Sequence, residues 1–138
     1  MKLNAMLAEF HAFEGKWDWQ RPLHVRLEFA DAPPIRIGLM GDGGSMRVDF
    51  LPLEGPLDIG EYGAILIRDV SEGFAPGLKG ADVDLYGIAA GETPFAGVGI
   101  VHEGRAALCF WNWGDELLWG SWDARFLCDW GGAAPRLM

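Results

Sequence analysis

Histidines, cysteines and closely spaced carboxylates are the side chains of this sequence that could do chemistry. The three histidines, His11, His24 and His102, are not spaced from one another or from a cysteine as metal ligands are. Asp82 and Asp84 are two residues apart, so a strand would present both carboxylates on one face, where they could bind a cation or exchange protons. The sequence around them lacks the regular ligands of a calcium loop, which favours a solvated strand end or a contact for a partner. We therefore expect no metal ion and no cofactor.

A nucleophilic site is not indicated either. The serines lack the GxSxG pattern of a nucleophile elbow. Cys109, His102 and Asp115 could be drawn as a triad, but Cys109 lies in the apolar run 106–111, which predicts a buried free thiol. A disulfide between Cys109 and Cys128 is the alternative. We expect a protein that is not an enzyme.

The elements that must position these residues are mostly strands. Apolar and polar residues alternate in several segments, and short turns rich in Gly, Asp and Pro separate them, including the glycine-rich turn 41–45. The predicted strands are 23–29, 35–39, 46–50, 62–70, 81–90, 95–102, 105–113 and 116–122. The apolar spacing of residues 3–13 predicts an N-terminal helix, although a strand over 7–13 fits nearly as well.

These elements predict a mainly β protein with antiparallel strands. We expect a β-sandwich or an open barrel of about eight strands, with one N-terminal helix and an α+β fold as the alternative. The chain has 138 residues, half of them hydrophobic, and no linker is visible, so residues 1–138 are predicted to form a single domain with a real core.

The charge of the chain is acidic and unevenly distributed. The formal net charge is −9, which argues against binding nucleic acid or an anionic membrane and permits a basic protein partner. Residues 49–92 carry nine acidic and two basic residues and include two predicted long loops, 51–61 and 71–80. No leader sequence and no apolar run of the ~20 residues that span a bilayer is visible, so we expect a cytoplasmic protein with no membrane partner.

Seven tryptophans offer a second interpretation. Large aromatic residues usually fill a core. Trp17, Trp19, Trp111 and Trp113 could instead line the pocket of a small β-barrel that binds an apolar ligand or hydrolyses a substrate. A third hypothesis is an assembly subunit whose acidic stretch is only solvated.

The acidic segments 53–63 and 80–84 and the strand 109–113 are the features that carry a resemblance to a known class of proteins. In these features the chain resembles small immunity proteins of bacterial polymorphic-toxin and contact-dependent inhibition systems. The resemblance implies a protein that neutralises a cognate toxin domain, often a basic nuclease, by tight binding. The acidic excess of residues 49–92 also predicts contact with a basic partner, in which acidic residues supply complementary charge and a tyrosine provides the anchor. The residues predicted for this contact are Asp58, Glu61, Tyr62, Glu72, Asp82, Asp84 and Tyr86.

Overall fold

Two antiparallel β-sheets form the protein in this computed structural model, which describes residues 1–90, 92–120 and 136–137. The first sheet has the strand order β4-β3-β2-β1-β6-β5, with β1 at Leu3–Ala12, β2 at His24–Phe29, β3 at Ile35–Leu39, β4 at Met46–Asp49, β5 at Leu57–Asp58 and β6 at Ala64–Asp69. The second has the order β10-β9-β8-β7-β11, with β7 at Asp84–Ala90, β8 at Thr93–His102, β9 at Arg105–Trp113, β10 at Glu116–Gly120 and β11 at Arg136–Leu137. The prediction of a mainly antiparallel β fold is confirmed.

The helices of the described residues are short. A 3-10 turn spans Gly60–Tyr62 between β5 and β6, and the helix α1 spans Ser71–Phe74 after β6. Residues 121–122 at the end of the predicted strand 116–122 lie outside the described residues, as does Cys128.

The predicted N-terminal helix was wrong and the alternative of a strand over 7–13 was nearer, because residues 3–12 form the strand β1 at the centre of the first sheet. A register shift between Leu3 and Ala5 explains the misleading pattern. The extra residue moves the next buried side chain from position 5 to Met6, which imitates helical spacing, and strict alternation resumes through Ala8 and Phe10.

One core lies between the two sheets. Fully buried side chains of the first sheet, such as Phe10 and Val25, belong to the same hydrophobic cluster as Val98 and Phe110 of the second. Phe74 of α1 extends this cluster, because its ring stacks on Trp119 with the centroids 3.9 Å apart and meets Phe110 at 6.3 Å. The shared core makes the arrangement a sandwich.

Polar contacts also join the two sheets at one end. Asn112 is buried at the end of β9, and its Nδ2 donates to the carbonyl of Ser45 at 2.8 Å, across the β3–β4 hairpin. Asp115 accepts the N–H of Gly43 in the same hairpin at 2.8 Å. The glycine-rich turn 41–45 is therefore a hairpin turn anchored to the opposite sheet. Its Asp42 accepts the backbone N–H groups of Gly44 and Ser45.

Candidate functional site

The predicted partner-contact residues fall into two groups at opposite ends of β1. Asp58, Glu61 and Tyr62 lie beside its C-terminal end, since β5 and the 3-10 turn flank the residues of β6 that pair with His11 and Ala12. The other group comprises Glu72, Asp82, Asp84 and Tyr86, and it lies toward the N-terminal end. There the backbones of Lys2 and Asp82 form an isolated β-bridge, and the N–H of Met6 donates to the Ser71 hydroxyl. Ten residues of strand separate the ends by about 30 Å.

Two exposed apolar side chains that sequence analysis did not single out, Phe13 and Leu57, lie beside Tyr62 of the first group. Tyr62 is 69% exposed, Phe13 50% and Leu57 46%. The acidic side chains that accompany them are also exposed. We call this surface the tyrosine patch, and it consists of Phe13, Glu14, Leu57, Asp58, Glu61 and Tyr62.

Backbone contacts hold the segments of the tyrosine patch together. The Nε2 of His11 on β1 donates to the carbonyl of Tyr62 at 2.6 Å. The Asp58 carboxylate accepts the N–H of Gly60 at 2.8 Å, which fixes the turn that presents Glu61 and Tyr62. At Gly63 the backbone has φ of +100° and a Cβ would collide with the carbonyl oxygen of Ala12, so this close approach requires glycine. The patch is thus built on a central strand.

Asp82 and Asp84 of the second group line an open depression of about 380 Å³. Met1, Asp82, Asp84, His102 and Glu103 line it with both signs of charge. The Met1 amino group donates to the carbonyl of Val83 at 3.0 Å, and His102 Nδ1 donates to that of Asp82 at 2.8 Å. The backbone of Lys2 forms an isolated β-bridge with that of Asp82, which places a basic residue opposite an acidic one in register. This end therefore has less excess negative charge than its acidic residues alone suggest.

A buried carboxylate was not predicted as a site residue. Glu9 points to the outer face of the first sheet, and yet it is fully buried, because residues 51–56 pass over it. Its Oε2 accepts the N–H groups of Glu54 at 2.8 Å and Gly55 at 2.9 Å, and its Oε1 accepts from His24 Nδ1 at 2.6 Å. Burial alone would raise the pKa of Glu9, but the hydrogen bonds from His24 and Gly55 outweigh it and lower the pKa below its usual value.

Further contacts hold the same loop. Arg36 on β3 makes a two-pronged pair with Asp49 on β4, at 2.9 Å and 2.8 Å, and its Nη1 donates to the carbonyl of Pro52 at 3.3 Å. The His24 ring lies over Gly38, where a Cβ would come within 2.6 Å of its Cδ2. The outer face therefore carries a connected polar network beneath residues 51–56.

The catalytic triad considered from the sequence, Cys109, His102 and Asp115, does not form. Cys109 is a free thiol that is 1% exposed, and burial raises its pKa. It lies opposite Gly99, whereas His102 pairs with Arg105 three positions further along, about 10 Å away. Asp115 bonds to the hairpin turn instead. The prediction of a buried free thiol at Cys109 is confirmed.

The four tryptophans of the pocket hypothesis do not converge. Trp17 and Trp19 have ring centroids 6.2 Å apart, and Trp17 packs against the core. Trp111 is buried on the face of β9 that points away from the core residue Phe110, and Trp113 is 71% exposed. These positions do not support one pocket lined by all four.

Acid is expected to destabilise the fold below about pH 4.5. Hydrogen bonds from the Ser45 side chain and backbone lower the pKa of Asp42 to about 2. Hydrogen bonds from Arg36 and Ser71 lower the pKa values of Asp49 and Asp69, respectively. The pKa of Glu9 is also below its usual value. A carboxyl group whose pKa is lower in the folded state contributes stability above its unfolded pKa and loses it as the pH falls toward the folded value. Urea unfolding at a series of pH values from 6 to 2 should show this fall. An unchanged unfolding free energy over that range would contradict it.

Among the described residues, no group of three or more His, Cys, Asp or Glu side chains could hold a metal ion. No helix in the described part of the chain has the length and hydrophobicity that crossing a bilayer requires. Comparisons with protein-family models, with curated proteins and with solved structures found no match.

Proposed function

We propose that this chain is a non-catalytic, cytoplasmic immunity protein that neutralises a cognate basic toxin domain by docking the tyrosine patch onto it. The observation that carries the proposal is the combination of exposed apolar and acidic side chains at the C-terminal end of β1. Phe13, Leu57 and Tyr62 are each 46% to 69% exposed, and the polar side chains among them are mostly acidic. Apolar and aromatic anchors within a charged rim are the usual anatomy of a binding hot spot.

Electrostatics supports a basic partner. Glu14, Asp58 and Glu61 belong to the tyrosine patch, and the basic residues nearest to them along the chain are Lys16 for Glu14 and Arg68 for the other two. Complementary charge accelerates association and rejects wrong partners. The net charge of −9 adds a long-range field of the same sign.

The geometry also favours the tyrosine patch over the second acidic group. At the second group Val83 is buried and Tyr86 is only partly exposed, so none of the residues described there is a large exposed apolar anchor. The Met1 amino group and His102 also line the depression beside Asp82 and Asp84, so its lining is not uniformly acidic. We therefore assign docking to Asp58, Glu61 and Tyr62.

Replacing Tyr62 with alanine is expected to weaken binding about 30-fold or more, because a central aromatic anchor contributes about 2 kcal/mol or more. The partner to test is the C-terminal domain encoded by the adjacent reading frame, with affinity measured by calorimetry and neutralisation by co-expression. Trp113→Ala is the matched control, since Trp113 is 71% exposed but lies in the second sheet, and it should bind as the wild type does. A wild-type chain that neither binds nor neutralises this domain would contradict the proposal.

A further inference from the structure

We infer that Glu9 is a positioning residue that holds residues 51–56 on the first sheet and thereby presets the tyrosine patch for docking. The inference rests on the proposed function of that patch. Glu9 itself does not reach the partner, because its side chain is fully buried.

The contacts of Glu9 connect the centre of the sheet to the loop. A single carboxylate oxygen accepts two consecutive backbone N–H groups, those of Glu54 and Gly55, at 2.8 Å and 2.9 Å. The other oxygen accepts from His24, which ties β1 to β2 at the pair Glu9↔His24. Both oxygens are thereby used, and a shift of the loop would break two charge-assisted hydrogen bonds at once.

The loop continues directly into the tyrosine patch. Gly55 lies so close to β6 that a Cβ would come within 2.8 Å of Ile65 Cγ2, and only two residues later Leu57 pairs with Ile65. His11, which bonds to Tyr62, follows Glu9 by two residues on the same face of β1. One strand therefore fixes both the loop that leads into the patch and the turn that carries its aromatic anchor.

The chemistry of the position agrees with this role. A buried carboxylate is costly to desolvate, and an apolar residue of similar size often stabilises a fold as well or better. An apolar residue at position 9 could not accept the N–H groups of Glu54 and Gly55. Glu9 thus gives a defined register to a loop that has little secondary structure of its own, and a preset loop loses less conformational entropy on binding.

The test combines amide hydrogen exchange with binding kinetics in Glu9→Gln, using the C-terminal toxin domain of the adjacent reading frame as the probe. We expect faster exchange at Glu54 and Gly55, an unchanged association rate, and dissociation about tenfold faster, because the surface charges that steer association remain. Glu28→Gln is the matched control. It removes one carboxylate from β2, on the same outer face of the first sheet as Glu9 but away from the loop. It should leave exchange at these amides and dissociation unchanged.

Gly55→Ala provides a second variant that keeps the Glu9 charge and displaces the loop by the clash with Ile65. Wild-type dissociation rates in Glu9→Gln and in Gly55→Ala, in chains that fold and bind, would overturn the inference while leaving the proposed function standing. Failure of the wild-type chain to bind would instead overturn the proposed function. Dissociation that quickens equally in Glu28→Gln would also overturn the role of Glu9.

Discussion

Replacing Glu9 with alanine is expected to lower the free energy of unfolding by about 3–5 kcal/mol. The substitution leaves the N–H groups of Glu54 and Gly55 without their acceptor and removes the partner of His24 Nδ1. Each unsatisfied buried donor costs about 1–3 kcal/mol, and the side chain also leaves a cavity. For a domain with a net stability of about 5–15 kcal/mol this is a large fraction.

Urea unfolding followed by tryptophan fluorescence measures this change. Glu28→Ala is the control on the same face, because the Arg26–Glu28 pair at 3.4 Å is partly exposed and should contribute less than about 1 kcal/mol. Equal losses in the two variants would contradict the account of Glu9 as the buried acceptor of the loop.

A second large effect is expected for Phe110→Ala, which should also lower the free energy of unfolding by about 3–5 kcal/mol. Its ring is fully buried between the sheets and meets Phe74 at 6.3 Å, and the Phe74 ring in turn stacks on Trp119. Truncation would remove contacts that join β9 to α1 and leave a void that the rigid sheets cannot fill.

Chemical denaturation of Phe110→Ala measures the loss, with Trp113→Ala as the control three residues along the same strand. Trp113 is 71% exposed, so its truncation should change the unfolding free energy by about 0.5 kcal/mol or less. A Phe110→Ala chain as stable as Trp113→Ala would mean that the two sheets do not share this core.

Regular strands could be predicted from the sequence alone, whereas the irregular strand β1 was predicted only as the alternative to a helix. The alternation of residues 23–29 and the turn 41–44 predicted the hairpins correctly, because side-chain period and turn chemistry are local properties. In β1 the register shift between Leu3 and Ala5 changed the spacing of the buried residues, so the local pattern pointed to a helix. A shift of this kind depends on pairing with a partner strand, which one segment does not reveal.

The candidate site was predictable in part for the same reason. The acidic residues were visible in the sequence, but their division between the two ends of β1 follows from strand order, since β5 and β7 belong to different sheets. The role of Glu9 also depends on tertiary structure, because it requires the pairing with His24 and the passage of residues 51–56 over the sheet. The Glu9–His24 contact could be predicted only once the register of β1 and β2 is known.

Association kinetics with matched charge reversals tests the central claim most directly. Glu61→Lys in the tyrosine patch and Asp84→Lys in the second acidic group change the net charge equally, and both side chains are exposed. At low ionic strength we expect Glu61→Lys to slow association with the basic toxin domain about tenfold or more, and Asp84→Lys to leave it within about twofold of the wild type. Equal slowing by the two variants, or a larger effect of Asp84→Lys, would contradict docking through the tyrosine patch.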